Sequence, residues 1–201
     1  MSKQHDRRVA TGHGEETTSA DGVTISRRRF VGLVAAAVVA PSLLLPRRSL
    51  AAIEQPRRLA FRHLHTGEKL SVVYFADGEY VDDSLLEVNQ LLRDHRTGDV
   101  FDIDPRLLDM LHRVATATAS TGVFQVISGY RSPATNEMLR SRAGGVARKS
   151  LHMQGKAIDV RLADVDTARL RDSAIELAGG GVGYYDRSDF VHLDTGRVRS
   201  W

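Results

Sequence analysis

The chain has 201 residues, a formal net charge of +3 and no cysteine. That length suits one domain rather than two, and the missing cysteines exclude thiolate metal ligands, cysteine nucleophiles and iron–sulfur clusters, so any metal must be held by His, Asp or Glu. The positive charge does not mark a nucleic-acid binder: residues 1–51 hold eight of the 28 Lys and Arg but four of the 25 Asp and Glu, which leaves 20 basic against 21 acidic side chains, whereas a nucleic-acid footprint is a basic patch on the folded domain.

Met1 to Gly22 is polar and without periodicity. Ser26-Arg27-Arg28-Arg29-Phe30 then precedes an apolar run from Val31 to Leu45, which Gly32, Pro41 and Ser42 interrupt, and small residues follow in Ser49-Leu50-Ala51-Ala52. A charged leader, an apolar core of about fifteen residues and a small-residue end form a secretory signal, and the paired arginines look like a twin-arginine export signal. A spanning helix needs about 20 apolar residues, and Pro46-Arg47-Arg48 cuts the run short, so membrane attachment is expected only through an uncleaved leader. Cleavage after Ala51 or Ala52 divides the chain into an export segment, residues 1–51, and one domain, residues 52–201.

The domain opens with a hairpin, Leu59–His65 and Leu70–Phe75, joined at Thr66-Gly67. His63 and His65 share one face of its first strand, and beside a turn they read as a surface pair. Asp83-Ser84 is the expected cap of a helix with Leu85, Leu86, Val88, Leu91 and Leu92 on one side. Asp104-Pro105 starts a second helix, with Leu107, Leu108, Leu111, Val114 and Ala115 as its buried stripe and Gly122 as its stop. The next strand, Val123–Ile127, runs into Ser128-Gly129-Tyr130-Arg131-Ser132-Pro133, a turn that can hold Arg131 at the mouth of a cleft. A short helix over Thr135–Arg140, a Gly-containing loop, a strand over Ala157–Leu162 and a helix from Asp166 to Ala178 follow. Val182–Tyr185 and Phe190–Asp194 close the domain as a hairpin. This order predicts an α+β fold with a mostly antiparallel central sheet and flanking helices.

The chemistry gathers in Ser150-Leu151-His152-Met153-Gln154-Gly155-Lys156-Ala157-Ile158-Asp159 and in Asp189-Phe190-Val191-His192. A turn at Gly155 can fold His152 and Asp159 towards one point, and His192 from another strand completes a trio. Two neutral imidazoles and a carboxylate suit zinc, with a fourth position left for water. Amide hydrolysis then needs a general base and an oxyanion donor. Asp189 is the first candidate base and Asp194, on the face of His192, its rival; Arg131 is the candidate donor, and Ser128 and Ser150 can orient neighbours.

The Ser-x-His-x-x-Gly-x-Ala-x-Asp pattern of Ser150 to Asp159, the acid-x-x-His element of Asp189 to His192 and Ser128-Gly129-Tyr130-Arg131-Ser132 resemble the motifs of the zinc D-Ala-D-Ala carboxypeptidase and dipeptidase superfamily, to which hedgehog-like domains are similar in fold. From Leu59 to Trp201 the chain more closely resembles the YcbK-like, MepK-type murein endopeptidases, in His65-Thr66-Gly67-Glu68, Gly181-Val182-Gly183-Tyr184-Tyr185, Phe190 to Gly196 and Arg199-Ser200-Trp201. The resemblance implies zinc at His152, Asp159 and His192, periplasmic cleavage of peptide cross-links in peptidoglycan, and endopeptidase rather than carboxypeptidase activity. Many superfamily members carry Glu where Asp189 stands. An inactive module of the same fold that binds cell-wall peptide is the alternative; the complete ligand set argues against it.

Overall fold

The computed structural model describes residues 55–142 and 146–201, so the expected export segment, residues 1–51, lies outside the described residues. One sheet of eight strands organises the domain: β1 (Arg57–His63), β2 (Lys69–Ala76), β3 (Glu79–Tyr80), β4 (Val123–Ser128), β5 (Ala157–Leu162), β6 (Gly181–Tyr185), β7 (Phe190–Asp194) and β8 (Arg199–Ser200). Across it the strands run β3-β2-β1-β4-β5-β7-β6-β8. The sheet is mostly antiparallel, as expected, but mixed: β1 pairs with β4, and β6 with β8, in parallel. Such a pair cannot be closed by a tight turn, and the crossover from β1 to β4 carries α1 (Asp82–Leu91) and α2 (Pro105–Ala117). The remaining α-helices among the described residues are α3 (Pro133–Arg142) and α4 (Thr167–Glu176). No helix among the described residues is long and apolar enough to cross a membrane.

Helix ends follow local chemistry. Asp104 caps α2 by accepting the Arg106 N–H at 3.1 Å, with Pro105 in the first position, and Asp166 caps α4 by accepting from Arg169 N–H at 2.8 Å. Asp83 is not a cap. The Val81 N–H donates to the Tyr74 carbonyl, which fixes the chain early, so α1 starts at Asp82 and both acids lie in its first turn, where they favour the helix dipole.

The faces of β5 and β7 separate core from site. Ile158, Val160, Val191 and Leu193 are buried in a core shared with Leu107, Leu108, Leu111 and Leu170 of α2 and α4. Successive strand residues point to opposite faces, so Asp159 and His192, paired directly across the two strands, lie on the face opposite this core. A bulge between Val126 and Ser128 shifts the β4 register, so Ser128 stands opposite Asp159. Each fully buried Leu, Ile or Val in this core contributes roughly 1.5–3 kcal/mol.

His63 departs from expectation. It is fully buried, and its ring lies 5.5 Å from that of His95, which stacks on His65 at 4.2 Å. The strand ends at His63, so His65 falls in the exposed turn, while His63 shares the inward face with Phe61. Burial, then the neighbouring His65, lowers the pKa of His63; burial, then Arg96, brings His95 to about 4. Folding therefore favours their neutral forms. Their contribution is fully present above the unfolded pKa of about 6.5 and is lost as pH falls from there towards the folded values. In chelator-treated protein, Tm is expected to fall between pH 6.5 and pH 4, and His95→Phe to flatten that slope. Equal slopes in thermal melts of the two proteins would remove His95 from the account.

Candidate metal centre

His152 sits in a single 3-10 turn, Leu151–Gln154, that ends at Gly155 with φ of +64°. A left-handed conformation favours glycine, and a Cβ at this position would also collide with the Asp102 carbonyl. The Gly155 carbonyl accepts the Asp104 N–H at 2.9 Å, which ties the turn to the start of α2. Gly155→Ala is expected to cost about 2 kcal/mol or more, read as a lower urea midpoint. An unchanged midpoint would show that the turn relaxes freely.

The turn is also tied to the loop after β4. The Arg131 N–H donates to the His152 carbonyl at 3.2 Å, and the His152 Nδ1 lies 2.7 Å from the Gly129 carbonyl. A carbonyl only accepts, so Nδ1 carries the proton and Nε2 is left with its lone pair. His152 Nε2 lies 3.3 Å from Asp159 Oδ1 and 3.2 Å from His192 Nδ1. His192 is set the opposite way round: its Nε2 is 3.1 Å from the Asp194 carboxylate and its Nδ1 is 2.8 Å from Asp159 Oδ1. With Nε2–H donating to Asp194, the His192 Nδ1 also offers a lone pair. Each of the three side chains is buried.

Three lone-pair donors thus face one another at 2.8 to 3.3 Å, close to the separation of about 3.3 Å that tetrahedral bonds of roughly 2.0–2.1 Å impose on two ligands. Such a trio repels itself unless a cation sits among its members. In the metal-free site a proton supplies that charge: burial lowers the pKa of His192, but hydrogen bonds to Asp159 and Asp194 outweigh it and raise it to about 9, so a bound metal would displace the proton from Nδ1. Burial likewise raises the Asp159 carboxyl, and His152 and His192 more than offset this and hold it well below the usual carboxylate range. In both residues the surroundings favour positive charge at the point of convergence. The donor set and its spacing therefore fit a divalent metal of the zinc type.

Asp194 holds this arrangement. It is fully buried, takes a bidentate pair from Arg199 at 3.0 and 2.7 Å, and accepts from the Gly196 N–H at 2.8 Å as well as from His192. A carboxylate with both oxygens committed orients and polarises a ligating imidazole; it is poorly placed to take a proton from water. Only the shared face of His192 and Asp194 hinted at this in the sequence.

Arg131 lies beside the trio. Its Nη2 is 3.7 Å from Asp159 Oδ2, its Nη1 reaches Asn136 Oδ1 at 3.5 Å, and its Nε is buried without a hydrogen-bond partner among the described residues. Ser132, next to it, donates its N–H to the buried Asp94 carboxylate at 2.9 Å. The structure brings Arg131, His152, Asp159, His192 and Ser150 to one cleft of about 420 Å³, whose other walls include Lys149, Tyr185, Phe190 and Trp201. Asp189 is not among its lining residues. It follows the short turn Asp186–Ser188 with φ of +51°, and its carboxylate takes bonds from Arg161 at 2.6 Å and Thr167 at 2.9 Å.

An α+β domain with a buried His-Asp-His trio on the floor of an open cleft and a cation beside it has the make-up of a metallopeptidase. Comparison with known proteins makes this specific. The chain belongs to the family of the peptidoglycan L,D-endopeptidase MepK, whose sequence profile matches residues 51–201. The MepK proteins of Escherichia coli K12 and Shigella flexneri are each 38% identical to it over 181 residues, covering 90% of this chain and all of theirs. A probable peptidoglycan L,D-endopeptidase MepK of Haemophilus influenzae is 41% identical over 161 residues, covering 79% of this chain and 87% of its own. No solved structure matches the chain.

Proposed function

We propose that the chain is an exported, zinc-dependent murein endopeptidase whose metal is held by His152, Asp159 and His192. The convergence of three donor atoms, with the second nitrogen of each imidazole already committed to Gly129 or Asp194, carries this reading. The names of the relatives support peptide cross-links of peptidoglycan, cut at an L,D bond, as the substrate. When bound, zinc supplies a Lewis acid that polarises a carbonyl and makes water nucleophilic near neutral pH. Asp194 fixes the tautomer of His192, and Arg131 offers its guanidinium to the oxygen of the scissile amide as negative charge develops there.

Asp189 is proposed as the general base in a form that first releases Arg161 and Thr167; catalytic hydrogen bonds often tighten only when substrate is bound. Asp189→Asn tests the assignment. A fall in kcat of about a hundredfold or more with metal content intact supports it, and an unchanged kcat overturns it. The leader is proposed to direct the enzyme to the periplasm through the twin-arginine pathway, and replacing Arg27 and Arg28 by lysine is expected to leave it in the cytoplasm.

Defined cross-linked muropeptides incubated with the zinc-loaded protein, with and without chelator, test the whole reading. The expected result is chelator-sensitive conversion of dimers to monomers, identified by mass. Intact dimers in the presence of zinc would falsify it.

A further inference from the structure

The aromatic wall of the cleft has no part in the chemistry derived so far. Trp201 is the only tryptophan of the sequence, and the residue is 52% exposed. Its position is nonetheless closely determined. The Trp201 N–H donates to the Val182 carbonyl at 3.2 Å, and its carbonyl accepts from the Tyr184 N–H at 3.0 Å. The indole Nε1–H donates to the Tyr185 hydroxyl at 3.2 Å, and the Arg199 guanidinium lies 4.7 Å from the ring centroid. Gly183 leaves room behind it: a Cβ there would stand 2.7 Å from the ring. One edge of the ring approaches His192 with centroids 5.4 Å apart, while Tyr185 extends the wall by stacking on Phe190 at 4.5 Å.

A large apolar ring fixed on several sides and still half open to water, next to a metal-ligand candidate, is a surface made to receive something flat. Arg131 and Lys149 also line the cleft, so the occupant meets cations as well as π-faces. A peptide carrying free carboxylates and planar amides has this character.

We propose that Trp201 is the substrate-binding platform of the cleft, stacking on a peptide plane of the stem while a stem carboxylate pairs with Lys149, which leaves Arg131 to the scissile amide. This inference rests on the murein-peptide reading of the same site. It assigns Trp201 to ground-state binding, so its loss raises KM and spares the chemical step. Stacking of this kind contributes about 0.5–1.5 kcal/mol, which corresponds to a change of up to about tenfold.

Because the indole is unique, tryptophan fluorescence reports on this wall alone. The full-length zinc-loaded protein is titrated with an uncross-linked tetrapeptide stem, and KM and kcat are measured on the cross-linked dimer. The expected results are a saturable change in emission for the wild type, a severalfold to tenfold higher KM for Trp201→Ala carried by KM rather than kcat, near-complete rescue by Trp201→Phe, and zinc content unchanged in both variants. Cleavage by the wild type with no emission change, or an unaltered KM in Trp201→Ala, overturns the platform and leaves the proposed function standing. Zinc loss in Trp201→Ala that Trp201→Phe restores would make the residue a support for His192, which also overturns it. Absence of cleavage by the wild type removes both readings together.

Discussion

His152→Ala is expected to abolish metal binding and to lower turnover of cross-linked peptide on the order of 10³-fold or more, because it removes one of the three proposed donors of the metal that would activate water. The loss should exceed the roughly 10–100-fold that follows when an outer partner of a ligand is removed. Asp194→Asn provides that milder comparison, since it keeps all three donors and weakens the contact that orients His192 together with the Arg199 pair behind it. A second readout separates loss of metal from loss of fold. A ligand that binds only the folded state raises stability with the logarithm of its concentration over Kd, so chelator should lower the Tm of the wild type and leave that of His152→Ala unchanged. Turnover and a chelator-sensitive Tm that both survive in His152→Ala would place the metal elsewhere.

Arg131→Ala is the second large effect, with an expected fall in kcat of about 10²–10³-fold, the usual consequence of removing one donor to a developing oxyanion. The guanidinium is partly buried beside Asp159, and its terminal nitrogens make only long contacts, 3.7 Å to Asp159 and 3.5 Å to Asn136, so they can turn to a ligand. The change should appear in kcat with little change in KM, because the proposed contact is stronger in the transition state than in the ground state. Lysine should restore only part of the loss, since a point charge on a flexible stem does not reproduce the planar fork. A higher KM at unchanged kcat would instead make Arg131 a ground-state anchor for a substrate carboxylate.

These two variants probe opposite halves of a site assembled from distant segments. The 3-10 turn with His152 is held to the loop of Arg131 by two hydrogen bonds through Gly129 and Arg131 itself, and Asp159 and His192 face each other across β5 and β7. Moving either the turn or the strand register would break the donor triangle. The left-handed Gly155, the bulge in β4 and the Asp194–Arg199 pair are therefore part of the site, although none of them is among the three donors.

Much of this was written in local sequence. The absence of cysteine restricted the donors to oxygen and nitrogen, the alternation in Ala157–Leu162 and Phe190–Asp194 marked both site strands, and Asp104-Pro105 marked the start of α2, because strand period, capping and turn chemistry act over a few residues. Tertiary structure decided what local patterns do not carry. The Gly129 carbonyl, 23 residues away, determines which nitrogen of His152 is free, and partners 33 and 40 residues apart bring the three donors together. Long-range contacts likewise bury His63, lead Asp189 to Arg161 and Thr167, and set Trp201 against His192. The reason is physical: strand register and loop-to-loop hydrogen bonds pair residues remote in the chain, and a shift of one residue would turn every side chain of a strand to the other face.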